Sequence, residues 1–328
     1  MATALRQRLN APPSLLLGAP LALGVCAAGF ALQGLGSLNA AAGRGPDPLL
    51  DTLMAEPASP PISSVQARRA TQRTLVDPQH RGQRLLSEPE AGPALHLEVR
   101  IALLSAGTNP SISANDSWQL RSVNGQILQQ GPAGAAVSVE QALQAGEGWL
   151  STTSRGAVQV NGRAYAGRLR LIPKDGGVQV INHLGLEPYI ASVVGSEMPS
   201  HWAQQALMAQ AVAARSYALA QMARPPSRHW HLGDTTRWQA YKGLERVNRR
   251  TLEAAARTAG LILSYQGAIV QSLYAANRQI TLEAHGHLGA SMSQHGARQL
   301  AEEGHPYNAI LGRYYPGASL ARLRAGAG

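Results

Sequence analysis

The chain has 328 residues and a formal net charge of +10, with a pI near 10.3. Such a length holds one or two domains with their own core, and such a charge either suits an acidic partner (nucleic acid, an anionic membrane, an anionic polymer such as cell wall) or only keeps the protein soluble. Nucleic acid is set aside because the sequence has no zinc-finger spacing, P-loop or aromatic-interleaved basic stripe, and the single cysteine, Cys26, excludes an intramolecular disulfide and a Cys-based zinc cluster.

Arg6 and Arg8 open the chain, a charge-free apolar stretch runs from about Pro12 to Leu38, and the small residues Asn39 to Gly43 follow. That order is the grammar of a secretory signal, and the apolar stretch is also long enough to stay as a membrane anchor. Val25 before Cys26 fits a lipoprotein site poorly. Residues 1–43 therefore read as signal peptide or anchor and place the bulk of the chain in the periplasm or cell envelope. Residues 44–94 are rich in Pro, Ser, Arg, Gln and Glu without lasting periodicity, which predicts a disordered linker.

Strand patterns begin at Leu95. Leu95 to Ile101 alternates apolar and polar, and further candidates are 118–122, 126–130, 157–160, 168–172 and 177–181, with Gly and Asn at the turns. Residues 135–144 read as a strand entering a short helix. Ser200 is placed to cap a helix over 202–222, whose interior carries one charge, Arg215. A helix apolar on nearly every side belongs in a core. Residues 249–259 read as a second helix before Gly260, and 261–265 with 268–274 as a hairpin turning at Gln266-Gly267. Helices to Glu303 and over 307–314 complete the pattern. The expectation is an α+β fold. A β-rich N-terminal part packs around a buried alanine-rich helix with further short helices, as a single globular domain over 95–320 after the tether, with a tail at 321–328.

Among chemistry-bearing residues, Glu197 stands in Val194-Gly-Ser-Glu-Met-Pro199. Apolar neighbours desolvate such a carboxyl and suit a general acid, while a glutamate near a helix start equally serves the helix dipole. Arg215 lies 18 residues on, roughly 27 Å along a helix, so it predicts a structural ion pair or bonds to loop carbonyls. His285, His287 and His295 have weak metal spacing and read as polar loop histidines that contact substrate or backbone. Asp234 and Glu245 are candidate second carboxylates, with turn capping and a solvated face as the plainer reading. No Ser–His–Asp arrangement stands out.

Leu186-Glu-Pro-Tyr-Ile-Ala-Ser-Val-Val-Gly-Ser-Glu-Met-Pro-Ser-His-Trp202, followed by Gln205-Ala-Leu-Met-Ala-Gln-Ala-Val-Ala-Ala-Arg-Ser-Tyr-Ala-Leu219, resembles the signature of the stage II sporulation protein D family, which includes amidase enhancers of cell-wall turnover. The segments 236–243, 255–265, 292–297 and 307–317 fall in the family's order. The resemblance implies a peptidoglycan lytic transglycosylase with Glu197 as its catalytic acid. It also implies substrate contacts at Gln239, Tyr241, His287, Ser293 and Gln294; no metal ligand and no cofactor is assigned. The implied partners are glycan strands and an N-acetylmuramoyl-L-alanine amidase, with membrane contact only through the N-terminal segment and none with nucleic acid. The alternative is a non-catalytic wall-binding amidase enhancer. One departure stands out: after Tyr274 the chain reads Ala-Ala-Asn-Arg-Gln and reaches His285 almost at once, without the family's β-rich insertion. Its loss predicts a glycan cleft with one wall removed.

Overall fold

The computed structural model describes residues 85–92, 95–276 and 291–324. The chain forms β1 (Glu98–Ala102), a 3-10 turn (Leu104–Ala106), β2 (Ile112–Ala114), β3 (Trp118–Arg121), β4 (Ile127–Gly131), α1 (Val139–Gln144), β5 (Gly148–Thr152), β6 (Val158–Val160), β7 (Arg163–Tyr165), β8 (Arg168–Lys174) and β9 (Gly177–Gly185). It continues through α2 (Leu186–Glu197), α3 (Gln204–Ala223), β10 (Leu232–Gly233), α4 (Arg249–Arg257), β11 (Leu261–Tyr265), β12 (Ala268–Ile269), β13 (Leu273–Ala275), β14 (Ser291–Ser293), α5 (Gln294–Glu302), α6 (Tyr307–Tyr314) and β15 (Ser319–Arg322). The α+β class expected from the sequence is what forms.

A seven-stranded sheet runs in the order β10-β1-β9-β8-β5-β3-β4, antiparallel except where β10 joins β1. Two small sheets, β2-β6-β7 and β12-β11-β15, and the parallel pair β13-β14 complete the strands among the described residues. The helix α3 is the hub of the other half, buried along 206–219 and packed by α2, α4, α5, α6 and β11. Six of its core residues are alanine, which lets those neighbours close in without large side chains between them.

The structure corrects several expectations. The largest concerns 186–197, where no helix was expected. Pro188 in the first turn needs no backbone N–H donor. Leu186, Tyr189, Ile190, Val193 and Val194 follow the i, i+3, i+4, i+7, i+8 spacing of one buried helical face. Ser200 caps nothing: α3 starts after Ala203, and the carbonyls of Ser200 and Trp202 instead accept from Arg250 at 2.8 and 2.7 Å. The expected hairpin is short. Ser272 Oγ donates to the Ala213 carbonyl at 2.7 Å, and β13 then pairs in parallel with β14 instead of continuing beside β11. Chain on either side of 95–320 also packs on the fold. Leu86 is buried, its carbonyl accepts from Asn308 Nδ2 at 2.9 Å, and Glu90 O accepts from Arg322 Nε at 2.9 Å, so the end of the predicted linker packs on the domain. Likewise β15 runs to Arg322 and Leu323 is buried, so the predicted tail begins inside a strand. The signal or anchor segment and most of the predicted linker lie outside the described residues. Within the described residues no helix is long and apolar enough to cross a membrane.

Arg215 behaves as expected of a structural charge. Wholly buried, it donates to both Glu187 oxygens at 2.9 and 2.6 Å and to the carbonyls of Leu261 and Ala255 at 3.0 and 3.2 Å. One guanidinium thereby ties the start of α2, the end of α4 and the start of β11 to α3.

Candidate functional site around Glu197

Glu197 is the last residue of α2, not a residue ahead of α3, so the helix whose dipole it feels is the one it ends. Three segments meet at its carboxyl group. The backbone N–H of Ala240 donates to Oε1 at 2.8 Å, and the Gln294 amide donates to Oε2 at 3.2 Å. Each carboxyl oxygen is thus fixed by a separate segment, and the group stays partly exposed.

Each segment is pinned locally. Gly195 lies against the loop before α4: a Cβ there would stand 2.2 Å from the Arg246 carbonyl oxygen. Ser192 Oγ donates to the Gly243 carbonyl. Gly243 itself has φ +55° and sits where a Cβ would meet the Ala164 oxygen at 2.2 Å, so only glycine fits both demands. Gln294 is the first residue of α5. Ser293 caps that helix by accepting from the Gly296 N–H at 3.1 Å, which sets the direction in which Gln294 leaves the backbone.

Gln239 and Tyr241, expected to contact substrate, are inside the protein. The Gln239 carbonyl oxygen accepts from Tyr189 Oη at 2.9 Å, and its amide donates to the Ala214 carbonyl and to Tyr274 Oη at 3.1 and 2.8 Å. Tyr241 Oη donates to Asn182 Oδ1 at 2.5 Å, and burial holds its phenol far above the ordinary range. Both side chains are spent on anchoring the loop, and the residue between them, Ala240, turns its N–H out to Glu197. Ser293, also expected at the substrate, is buried in its cap. Gln294 is the expected contact that does reach Glu197. His287 and His285 lie outside the described residues.

The other candidates have engagements of their own. Asp234 accepts from the N–H of Ser105 at 3.1 Å and from its hydroxyl, capping a turn. Glu245 forms exposed ion pairs with Arg163 and Arg246. The His295 ring packs on Trp202, centroids 5.1 Å apart, and Arg298 lies over the same indole. Among the described residues no group of three or more His, Cys, Asp or Glu converges as a metal site does.

A groove of about 620 Å³ opens elsewhere, beside Glu98, Thr152, Arg155, Arg168, His183 and Glu187. It adjoins the first turn of α2, whereas Glu197 ends a helix roughly 18 Å long. The groove is therefore not the surroundings of the Glu197 carboxyl, and its size is no argument about that group.

Sequence reading missed two parts of this geometry. The Ala240 N–H has no side-chain signature at all. The helix α2 had one, in Pro188 and the spacing of its apolar residues, although Ile190, Val193 and Val194 are β-branched.

Residues 174–265 match the family described as stage II sporulation protein, so the resemblance read from the sequence is borne out over that stretch. It takes in β9, α2 with Glu197, α3, the Ala240 loop, α4 and β11. An uncharacterized protein of Brachyspira hyodysenteriae is 35% identical over 118 residues, 36% of this chain and 32% of that protein. An amidase enhancer of Bacillus subtilis is 33% identical over 88 residues, 27% of this chain and 12% of that protein. A stage II sporulation protein D of Bacillus amyloliquefaciens is 29% identical over 109 residues, 29% of this chain and 32% of that protein. The matched stretch thus spans a third or less of each relative's length.

Proposed function

Related to the stage II sporulation proteins through residues 174–265, this chain carries Glu197 inside the matched stretch, and we propose that it is a peptidoglycan lytic transglycosylase of the cell envelope. The observation that carries this reading is the grip on Glu197: two neutral donors from two different segments hold the two oxygens of one partly exposed carboxyl group. A single carboxyl group fixed in this way suffices for the reaction. In its acid form Glu197 gives its proton to the oxygen linking N-acetylmuramic acid C1 to the next N-acetylglucosamine, and the C1–O bond breaks. The carboxylate left behind stabilises the positive charge at C1. The muramic acid 6-hydroxyl closes on C1 and returns its proton to Glu197, leaving a 1,6-anhydro end and the acid restored. No water is consumed, so no second carboxylate is required, in keeping with the engagement of Asp234 by Ser105 and of Glu245 by Arg163.

Gln294 and Ala240 are positioning groups in this scheme, and Gln239, Tyr241 and Ser293 act one step further back by holding them. The substrate is wall glycan, stripped of stem peptides, and the chain is exported to reach it. An amidase partner is supported by the similarity to a protein named for enhancing one. The direct test incubates the full-length protein and its Glu197→Gln variant with peptide-stripped glycan strands and analyses the products by mass spectrometry. Anhydro ends from the parent alone support the reading. Binding without anhydro ends from either protein makes the chain a non-catalytic wall-binding enhancer.

A further inference from the structure

The groove beside the first turn of α2 is shaped by backbone that needs no ligand to hold it. Asn182, wholly buried, donates from Nδ2 to the carbonyls of Ala166 and Arg168 at 2.9 and 3.2 Å. Between them Gly167 holds φ +82°, and a Cβ there would stand 2.1 Å from the His183 carbonyl oxygen. The volume of about 620 Å³ falls within the roughly 300–1,000 Å³ of pockets that take small ligands.

The charges along the groove are Glu98, Arg155, Arg168 and Glu187, and all but one are compensated. Glu98 Oε1 lies 2.8 Å from His183 Nδ1, and its Oε2 accepts from Arg168 at 3.1 Å. Glu187 is held by both arms of the Arg215 guanidinium. Arg155 is exposed and has neither a hydrogen bond nor an ion pair among the described residues. Asp116, which meets the neighbouring Ser154, is taken up by that hydroxyl and by the Ser117 N–H. The unmatched charge in the groove is therefore a cation. Apolar surface is left uncovered beside it. Leu95 and Leu97 are partly exposed, Pro188 is exposed, and Leu244 is 38% exposed. Apolar side chains gathered in one groove and left in water suit a ligand that covers them. A carboxylate on a chain of small apolar groups answers both features. A phosphate polymer would bring the charge alone, and a sugar strand would bring mostly hydroxyls.

We propose that this groove binds a short acidic peptide, the stem peptide of the cell wall, with a peptide carboxylate on Arg155 and its methyl groups against Leu97, Pro188 and Leu244. The proposal rests on the cell-envelope reading for the source of the peptide and not on the chemistry of Glu197. The groove would hold the protein on wall that still carries peptides, while Glu197 works on strands from which they have been removed.

The test measures binding of a free stem tetrapeptide, alanyl-γ-glutamyl-diaminopimelyl-alanine, to the full-length protein by titration calorimetry. Saturable binding to the parent is expected, about tenfold weaker in Arg155→Ala. Amidating the peptide carboxyl groups should weaken binding to the parent by a similar factor and make no difference to Arg155→Ala. Leu244→Ser, at an exposed side chain, lowers affinity by a smaller factor. Absence of binding to the parent overturns the proposal. So does an affinity unchanged in a folded Arg155→Ala protein, or a peptide-stripped strand that competes for the groove as well as the peptide does. Assaying the same proteins on peptide-stripped strands separates this site from the enzyme reading. Arg155→Ala should release anhydro ends as the parent does. Peptide binding by a parent that releases no anhydro ends keeps the groove and sinks the enzyme, and anhydro ends without peptide binding do the reverse.

Discussion

The two ends of α2 each carry a glutamate near the turn, and they are treated in opposite ways. Glu187, in the first turn, lies at the helix end that favours negative charge, and it meets a bidentate buried arginine and the Gly260 N–H at 3.2 Å. Glu197, at the last position, lies at the end that disfavours negative charge and is gripped by a backbone amide and a glutamine. The first arrangement optimises the ionised group for holding four elements together. The second fixes the position of the carboxyl group at a place that helix stability does not recommend. A residue kept where stability alone would not put it is a mark of function.

The contrast makes a graded set of expectations. Arg215→Met leaves the Glu187 carboxyl without its guanidinium and two backbone carbonyls without their donor. It is expected to cost about 3–5 kcal/mol in urea unfolding, the largest effect of the set. A variant as stable as the parent would mean that the clamp contributes nothing net. Glu187→Gln keeps an acceptor but loses the charge, and a cost of about 1.5–3 kcal/mol is expected by the same measurement. Gly195→Ala pushes α2 off the Arg246 carbonyl. It should cost about 1–3 kcal/mol and also lower the release of anhydro ends, because the end of α2 that presents Glu197 has moved. Should activity survive intact in that variant, the close approach at Gly195 is packing alone. Glu197→Gln gives the smallest stability change and one of opposite sign: removing a negative charge from the helix C-terminus should stabilise by about 0.3–1 kcal/mol while anhydro ends disappear. A marked destabilisation in thermal unfolding would instead place Glu197 among the structural carboxylates, beside Glu187.

The sequence by itself determined the elements that announce themselves within a few residues. The alternating strands 98–102, 168–174 and 177–185 were legible, as were the alanine-rich α3 and the closing helices, because periodicity and turn residues are local signals. It also determined that Arg215 serves structure, since a buried cation that far along a helix from Glu197 needs a partner elsewhere. Glu197 was singled out by its sequence block, which the family match covers. Only the tertiary structure decided what surrounds it. The oxygen-by-oxygen grip comes from Ala240, 43 residues on, and Gln294, 97 residues on, and one of those donors is a main-chain group with no side-chain identity to read. The same holds for Gln239 and Tyr241, for which the resemblance implied substrate contact and whose partners, Tyr189, Ala214, Tyr274 and Asn182, are brought to them by the packing of α2, α3, β13 and β9. Local pattern specifies which residues turn together. Which polar groups then satisfy one another is set by contacts between distant segments, and those exist only once the chain has closed on itself.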